Sequence, residues 1–253
     1  MVERAARRLR PTGVWMRVVA TLSVLPLLLA GCGDDGASDR PAKAAARTSV
    51  ADCLVATLGP RPTVDVDLDG DNTVETVEDV AGKGNGHCAP AYLEVEVAGK
   101  TRLAAVPDDL GIAPNGMRRI SVPGRAGDLV LAVLSHPRGG FQAHLYGYAD
   151  GKLEELTVDG RPVFPFVATD TVTDPISAAC THGGFEVTRA QAHQPIGVVP
   201  AWDVERTTYA VDGNTVTVRA TSEIADNVLE KQLRRDYRPL LQYSLFANCR
   251  VGR

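Results

Sequence analysis

Between residues 63 and 78 the sequence concentrates acidic side chains that could bind a metal ion. The carboxylates belong to Asp65, Asp67, Asp69, Asp71, Glu75 and Glu78. So many like charges in one short segment repel one another unless a cation neutralises them. Asp67, Asp69 and Asp71 alternate along a tight loop, so their oxygens can converge, and the Thr73 carbonyl and the Glu75 carboxylate can complete a shell. Calcium accepts six to eight oxygen ligands at flexible angles. We therefore predict a structural Ca²⁺ bound by Asp67, Asp69, Asp71, Thr73 and Glu75.

This segment resembles the calcium loops of FG-GAP and VCBS-type repeats, which carry a D-x-D-x-D-G-x-x-D pattern in a β-hairpin. Asp67, Asp69, Asp71 and Glu75 match the ligand positions of that pattern. Asn72 stands where the family has Gly, and Glu75 where it has Asp. The first difference is mild because Asn tolerates the left-handed backbone conformation. The resemblance implies a blade-like β fold and a structural calcium, and it implies no reaction.

Three other interpretations of the acidic segment stay open. A turn with solvated charges needs no ion, and an EF-hand fits less well, because no register places both its glycine and its glutamate and no helices flank the loop. A cell-envelope hydrolase could draw its catalytic acids from residues 67–78. The sequence contains no G-x-S-x-G, S-x-x-K or H-E-x-x-H motif, so the hydrolase is the alternative and we predict no catalytic residue.

The N-terminal residues have the layout of an export signal. Five arginines accompany an apolar stretch from Val18 to Leu29 that is shorter than the roughly 20 residues needed to span a bilayer. Leu29-Ala30-Gly31-Cys32 resembles the lipobox of bacterial lipoproteins, so residues 1–31 are the predicted signal peptide and Cys32 the lipidated first residue of the mature chain. A plain secretory signal is the alternative. Residues 32–49 lack apolar periodicity and are predicted to be a flexible tether.

Cys53, Cys88, Cys180 and Cys249 remain after Cys32 is assigned to lipid. An even number in an exported domain indicates two disulfides, and the sequence allows three pairings. We favour Cys53 with Cys88 and Cys180 with Cys249, since each pair then brackets one half of the chain. Metal ligation or a catalytic thiol is the competing interpretation, weakened by the absence of a C-x-x-C spacing.

The remaining 204 residues, 50–253, are predicted to form one all-β domain of antiparallel hairpins. Asp150-Gly151 supplies the backbone conformation of a tight turn, and similar turns lie near residues 98–100 and 212–214. Segments beginning at Glu75 and Asp128 are offset by 53 residues, and a looser third unit begins near Gly184. A period near 50 is typical of propeller blades, although three units suggest an open or atypical assembly. A single curved sheet or a sandwich is the alternative.

One helix is predicted over residues 222–235, ended by Pro239. Ile224, Val228 and Leu233 fall on one stripe, as in an amphipathic helix.

Charge narrows the range of partners. The 253-residue chain has a net charge of −4, and removing the predicted signal peptide leaves about −8, so nucleic acid is not an expected partner. We predict a lipid-anchored protein on the extracytoplasmic face of the membrane that acts as a calcium-stabilised binding module for an envelope protein or a glycan. A structural or sensory subunit of an envelope complex is a further alternative.

Overall fold

The computed structural model describes residues 50–56, 59–107, 111–137, 139–169, 174–193 and 200–249. The predicted signal peptide, Cys32 and the whole predicted tether, residues 32–49, lie outside these residues. Within them, no helix combines the length and the apolar composition needed to cross a bilayer. The chain in these ranges is mostly antiparallel β structure, as the sequence predicted.

Three antiparallel sheets of four strands follow one another along the chain, and each has its strands in sequential order. The first sheet contains β1 (Thr63–Val66), β2 (Glu75–Ala81), β3 (Ala91–Val97) and β4 (Lys100–Val106); the second contains β5 (Ile112–Ile120), β6 (Leu129–Ser135), β7 (Phe141–Ala149) and β8 (Lys152–Glu155). The third contains β11 (Ile176–Thr181), β12 (Gly184–His193), β13 (Ala201–Asp212) and β14 (Thr215–Leu229), and the short strands β9 (Thr157–Val158) and β10 (Arg161–Pro162) pair separately. A 3₁₀ helix, Val50–Cys53, precedes β1.

The three hairpin turns lie where the sequence predicted them. Ala98 and Gly99 join β3 to β4 with φ of 50° and 71°, and Asp150 and Gly151 join β7 to β8 with φ of 51° and 74°. Positive φ at both central residues is what a two-residue hairpin requires. The sequence pattern predicts that the strand after this turn runs from Leu153 to Val158, but it ends at Glu155. Its expected continuation, β9, pairs with β10 instead, because Asp159 and Gly160 also adopt positive φ and form a turn of their own.

The second sheet is covered on both faces. In β6, Leu129 and Leu131 contribute to a core shared with the third sheet, whereas Val130, Ala132 and Leu134 contribute to a core shared with the first. Successive side chains of a strand point to opposite faces, so an uninterrupted apolar strand fits a sheet between two others. The 53-residue offset thus relates β2 to β6, the second strands of neighbouring sheets.

The predicted helix over residues 222–235 is wrong in its first half. Strand β14 continues to Leu229, and the helix α1 contains only Glu230–Asp236. Ser222 and Val228 pair in register with Arg206 and Trp202 of β13, so the tertiary pairing overrides the helical pattern. Pro239 does not end α1 either, since it lies in the first turn of a second helix, α2 (Arg238–Leu241), where a missing N–H costs nothing.

The structure contains the disulfides Cys53–Cys88 and Cys180–Cys249, the pairing that the sequence analysis favoured. Cys53–Cys88 closes a loop beside the first sheet. Cys180–Cys249 joins β11 to the end of the described chain. Because both sulfurs near His87 are oxidised, the group of Cys53, His87 and Cys88 offers no thiolate to a metal.

Candidate metal centre

The acidic loop connects β1 to β2, and two buried side chains hold its ends. Leu68, fully buried, lies beneath the loop, and its amide donates a hydrogen bond to Glu75 Oε2 at 2.9 Å. Glu75 begins β2 and is only 8% exposed. The sequence Val66-Asp67-Leu68 therefore anchors the chain by its apolar residues and leaves the alternate acids at the surface.

Backbone amides inside the loop turn the carboxylates inward. Asp67 accepts hydrogen bonds from the amides of Gly70 at 2.8 Å and Asn72 at 3.1 Å. Asp69 Oδ1 accepts from the Asp71 amide at 3.2 Å, and Asp71 Oδ1 from the Thr73 amide at 2.6 Å. Such contacts are the usual way in which Asp forms local turns. Asn72 has φ of 67°, in the conformation that the sequence analysis expected it to tolerate.

Three of the predicted ligands come together. One carboxylate oxygen from each of Asp67, Asp69 and Asp71 lies within 4.8 Å of the other two. Glu75 stays outside that group but is close enough for the three aspartates to affect it. Burial, above all, raises the pKa of the Glu75 carboxyl. The hydrogen bond from the Leu68 amide partly offsets this effect, and the charges of Asp69, Asp67 and Asp71 add to it. Thr73 lies in the loop and donates its amide to Asp71, whose pKa that hydrogen bond lowers.

The donor set suits a hard divalent cation. The converging atoms are all carboxylate oxygens on a loop open to solvent, which is the ligand type that calcium prefers. The other acids of the segment have separate partners: Asp65 Oδ1 accepts a hydrogen bond from the Thr76 hydroxyl at 2.8 Å, and Glu78 lies 3.7 Å from Arg61. They are therefore not part of the candidate centre.

The corresponding loop of the second sheet, between β5 and β6, contains a guanidinium group. Arg125 Nη1 donates to the carbonyls of Gly127 at 2.6 Å, Ala126 at 2.9 Å and Asp128 at 3.2 Å. Its Nη2 donates to the Gly213 carbonyl of the third sheet at 3.3 Å. A protein-borne cation thus lies among the carbonyl oxygens of this loop.

Asp128 stands 53 positions after Glu75 and is likewise buried, immediately before the second strand of its sheet. It accepts a hydrogen bond from the Ser121 hydroxyl at 2.5 Å and forms an ion pair with Arg119 at 2.5 Å. Neither Asp128, named above only as the start of a repeated segment, nor Arg125 was predicted as a functional residue. The 53-residue offset was the signal that could have identified Asp128 as the counterpart of Glu75.

The two loops face each other across a surface cavity of about 600 Å³. Asp67, Asn72, Arg119, Arg125 and Asp128 line it. Gly70 and Gly127 allow the backbones to approach, because a Cβ on Gly127 would lie 2.2 Å from the Leu68 carbonyl oxygen. The candidate centre therefore lies at the junction of the first and second sheets.

Histidines in the described part of the chain serve other contacts. His144 is buried and lies 2.7 Å from Glu155, His136 packs edge-on against Phe166, and the His182 ring lies against Gly124. The turn between β11 and β12, which contains His182, thus packs against the loop between β5 and β6. Trp202 is 3% exposed and belongs to the core.

Comparisons with protein-family models, with curated proteins and with solved structures yield no match.

Proposed function

We propose that this protein is a lipid-anchored lipoprotein of the extracytoplasmic membrane face, whose β domain is a calcium-stabilised binding module. The resemblance of Leu29-Ala30-Gly31-Cys32 to a lipobox supports the anchor on Cys32. Two disulfides between distant cysteines support an oxidising location, because such bonds persist outside the cytoplasm. The binding partner in this proposal is an envelope protein or a glycan.

We further propose that the three sheets are blade-like units of an open, atypical propeller related to FG-GAP and VCBS repeats. Each sheet is a four-stranded antiparallel meander, which is the composition of a propeller blade. The two sheets that share the 53-residue offset also share a buried acid where the second strand begins. Glu75 is the first residue of β2, and Asp128 immediately precedes β6.

The convergence of Asp67, Asp69 and Asp71 carries the calcium part of the proposal. Carboxylates this close repel one another, and a cation that bridges them removes that repulsion. Asp67, Asp69 and Asp71 would hold the ion. Glu75, which the family pattern implies, and the Thr73 carbonyl, which the loop spacing predicts, would be the additional donors. The ion supplies fixed positive charge to the loop and no reaction.

Calcium bound here would also stabilise the contact between two sheets. Asp67 belongs to the acidic loop, yet its backbone bonds to Asp128 of the second sheet. An ion that orders the Asp67 carboxylate therefore orders a residue of the interface. In this proposal the acidic cluster binds calcium and stabilises the domain, and neither role requires a covalent bond to break.

Thermal unfolding with and without calcium tests the proposal. At a calcium concentration 100 times the Kd, ligand binding adds about 2.7 kcal/mol, which for a domain of this size raises Tm by about 5 to 10 °C relative to a solution with EGTA. Asp69→Asn and Asp71→Asn keep an oxygen that can accept the loop hydrogen bonds but lose charge, so they are expected to fold and to lose most of the calcium response. Asp150→Asn, in an exposed turn, is the matched control and should respond like the wild type. Equal Tm values in calcium and in EGTA for the wild type would contradict the calcium centre.

Cell fractionation tests the anchor separately. We expect the wild-type protein in the membrane fraction and Cys32→Ser in the soluble extracytoplasmic fraction, since two or three acyl chains are needed for stable anchoring. Mass spectrometry of the N-terminal peptide should show acyl groups on Cys32. An unmodified Cys32 would overturn this part of the proposal without affecting the calcium test.

A further inference from the structure

A cleft of about 430 Å³ lies between the third sheet and the C-terminal segment, away from the acidic loop. Its floor is the face of the sheet turned away from the second sheet. There Ser177, Thr188 and Arg206 form one row across β11, β12 and β13, because Ser177 pairs with Thr188 and Thr188 with Arg206. Tyr237, Gln242 and Ser244 contribute to the opposite wall.

The wall is held rigidly against the sheet. The disulfide Cys180–Cys249 joins it to β11, and the Ala178 amide donates to the Ser244 carbonyl at 2.9 Å. The Phe246 amide donates in turn to the Ala178 carbonyl at 2.7 Å, and the Asn248 side chain bonds to both the amide and the carbonyl of Cys180. The cleft is therefore preformed, which lowers the entropy cost of binding a ligand.

The polar side chains of the cleft have unused hydrogen-bonding capacity. Within the described part of the chain, the side chains of Ser177, Thr188, Tyr237, Gln242 and Ser244 make no hydrogen bond to another residue. The hydroxyl and amide groups both donate and accept. A cleft that presents several such groups together is suited to a ligand that also both donates and accepts at many positions.

Each charged side chain that lines the cleft has a partner of opposite charge. Glu186 lies 3.8 Å from Arg206, and Asp236 forms a two-point ion pair with Arg235 at 2.7 Å. No uncompensated charge among the described lining residues therefore selects an ionic ligand. The Tyr237 ring adds an apolar, partly exposed surface that can stack against an apolar face.

We propose that this cleft binds a neutral saccharide. A sugar offers hydroxyl groups to the row of Ser177 and Thr188 and a C–H face to Tyr237, and it carries no charge that the cleft must balance. This proposal names a ligand class and a place for the binding role proposed above. The cleft shares no residue with the acidic loop, so saccharide binding can be tested independently of calcium binding.

The test compares three trisaccharides of different charge with the purified full chain, by saturation-transfer NMR and calorimetry. The probes are triacetylchitotriose, which is neutral, its deacetylated cationic form chitotriose, and the anionic trigalacturonate. We expect triacetylchitotriose to bind with a Kd below about 1 mM, an ordinary affinity for a small polar ligand, and the charged probes at least fivefold more weakly. If a charged trisaccharide binds as tightly as triacetylchitotriose, the preference for a neutral ligand is wrong. If none of the three trisaccharides binds, the cleft is not a saccharide site.

Variants locate the binding. Thr188→Val keeps the shape and removes a hydroxyl, so the affinity for triacetylchitotriose should fall about threefold or more. Tyr237→Ala removes the stacking surface and should weaken binding further. Thr217→Val, on an exposed part of β14 outside the cleft, is the matched control and should bind normally. Wild-type affinity in both Thr188→Val and Tyr237→Ala would place the sugar elsewhere and refute the proposal. Repeating the titration in EGTA separates this result from any failure of the calcium centre.

Discussion

Asp67 and Asp128 exchange hydrogen bonds between the first and second sheets. The Asp67 amide donates to Asp128 Oδ2 at 3.1 Å, and the Asp128 amide donates to the Asp67 carbonyl at 2.6 Å. Asp67 thereby belongs both to the acidic loop and to the interface between sheets. Asp128 is 5% exposed, so its contacts are largely protected from water. This reciprocal pair is the structural link between the candidate metal centre and the rest of the domain.

Asp128→Ala should be strongly destabilising. The change removes the acceptor for Asp67 and Ser121 and leaves Arg119 without its partner, and loss of one member of a buried pair costs about 3 to 5 kcal/mol. Urea denaturation measures the change in the free energy of unfolding. Glu96→Ala, on an exposed position of β3, is the control and should change it by less than about 0.5 kcal/mol. If Asp128→Ala changes the free energy of unfolding as little as Glu96→Ala does, the hydrogen-bonded pair of Asp67 and Asp128 is not needed for stability.

Arg125→Ala should reveal the role of the protein-borne cation. In this variant four carbonyl groups lose a hydrogen-bond donor. We expect the free energy of unfolding to fall by about 2 to 3 kcal/mol. The loss should be smaller for Arg125→Lys, which keeps the charge but lacks the planar guanidinium group with its several donors. Millimolar guanidinium should restore part of the stability of Arg125→Ala in thermal unfolding. Arg234→Ala, which loses only an exposed pair with Glu230, should cost about 0.5 kcal/mol and show no such rescue.

Gly127→Ala tests the close approach of the two loops. Gly127 has φ of 71°, and a Cβ there would lie 2.2 Å from the Leu68 carbonyl oxygen, so the backbone must move. We expect a loss of more than about 3 kcal/mol by urea denaturation. Gly160→Ala has nearly the same φ, 73°, but meets nothing within 4 Å, and should cost only about 1 kcal/mol. If the two variants lose similar amounts of free energy of unfolding, backbone strain at positive φ alone, and not the contact between the loops, would explain why position 127 requires glycine.

Asp79→Asn tests a buried carboxyl in the first sheet. Burial raises the pKa of the Asp79 carboxyl, an effect that Arg61 partly offsets, and its Oδ1 has no hydrogen-bond partner among the described residues. A carboxyl whose pKa is raised in the folded state keeps its proton up to a higher pH in the folded than in the unfolded state. Its contribution to the free energy of unfolding is therefore greatest below the pKa of the unfolded state, and it is lost as the pH rises through the pKa of the folded state.

Asp79→Asn removes that titration, so the decline in the free energy of unfolding from pH 4 toward neutrality should be smaller than in the wild type. Urea denaturation at a series of pH values in EGTA measures it. Asp150→Asn, in an exposed turn where Asn adopts the same backbone conformation, is the control and should follow the wild-type profile. An unchanged profile in Asp79→Asn would contradict the prediction.

Much of the fold follows from features local in the sequence. The turn at Asp150-Gly151 depends on two adjacent residues. The carboxylates of Asp67, Asp69 and Asp71 converge within a segment of five consecutive residues. By contrast, residues 222–229 carry a helical pattern but form a strand, because Arg206 and Trp202, many positions earlier, provide the pairing edge. The helical pattern was visible in the sequence, whereas the strand partner was not.

The sequence by itself determined the antiparallel hairpins, the repeat and the acidic loop, because each depends on backbone preferences and side-chain spacing within a few residues. Only the tertiary structure decided that Asp67 meets Asp128, 61 positions away, and that Arg125 reaches the Gly213 carbonyl, 88 positions away. It also brought the C-terminal segment against β11 to form the saccharide cleft proposed here. Contacts of that kind arise when apolar faces of whole sheets are buried against one another, and no local spacing in the chain encodes which polar groups then become neighbours.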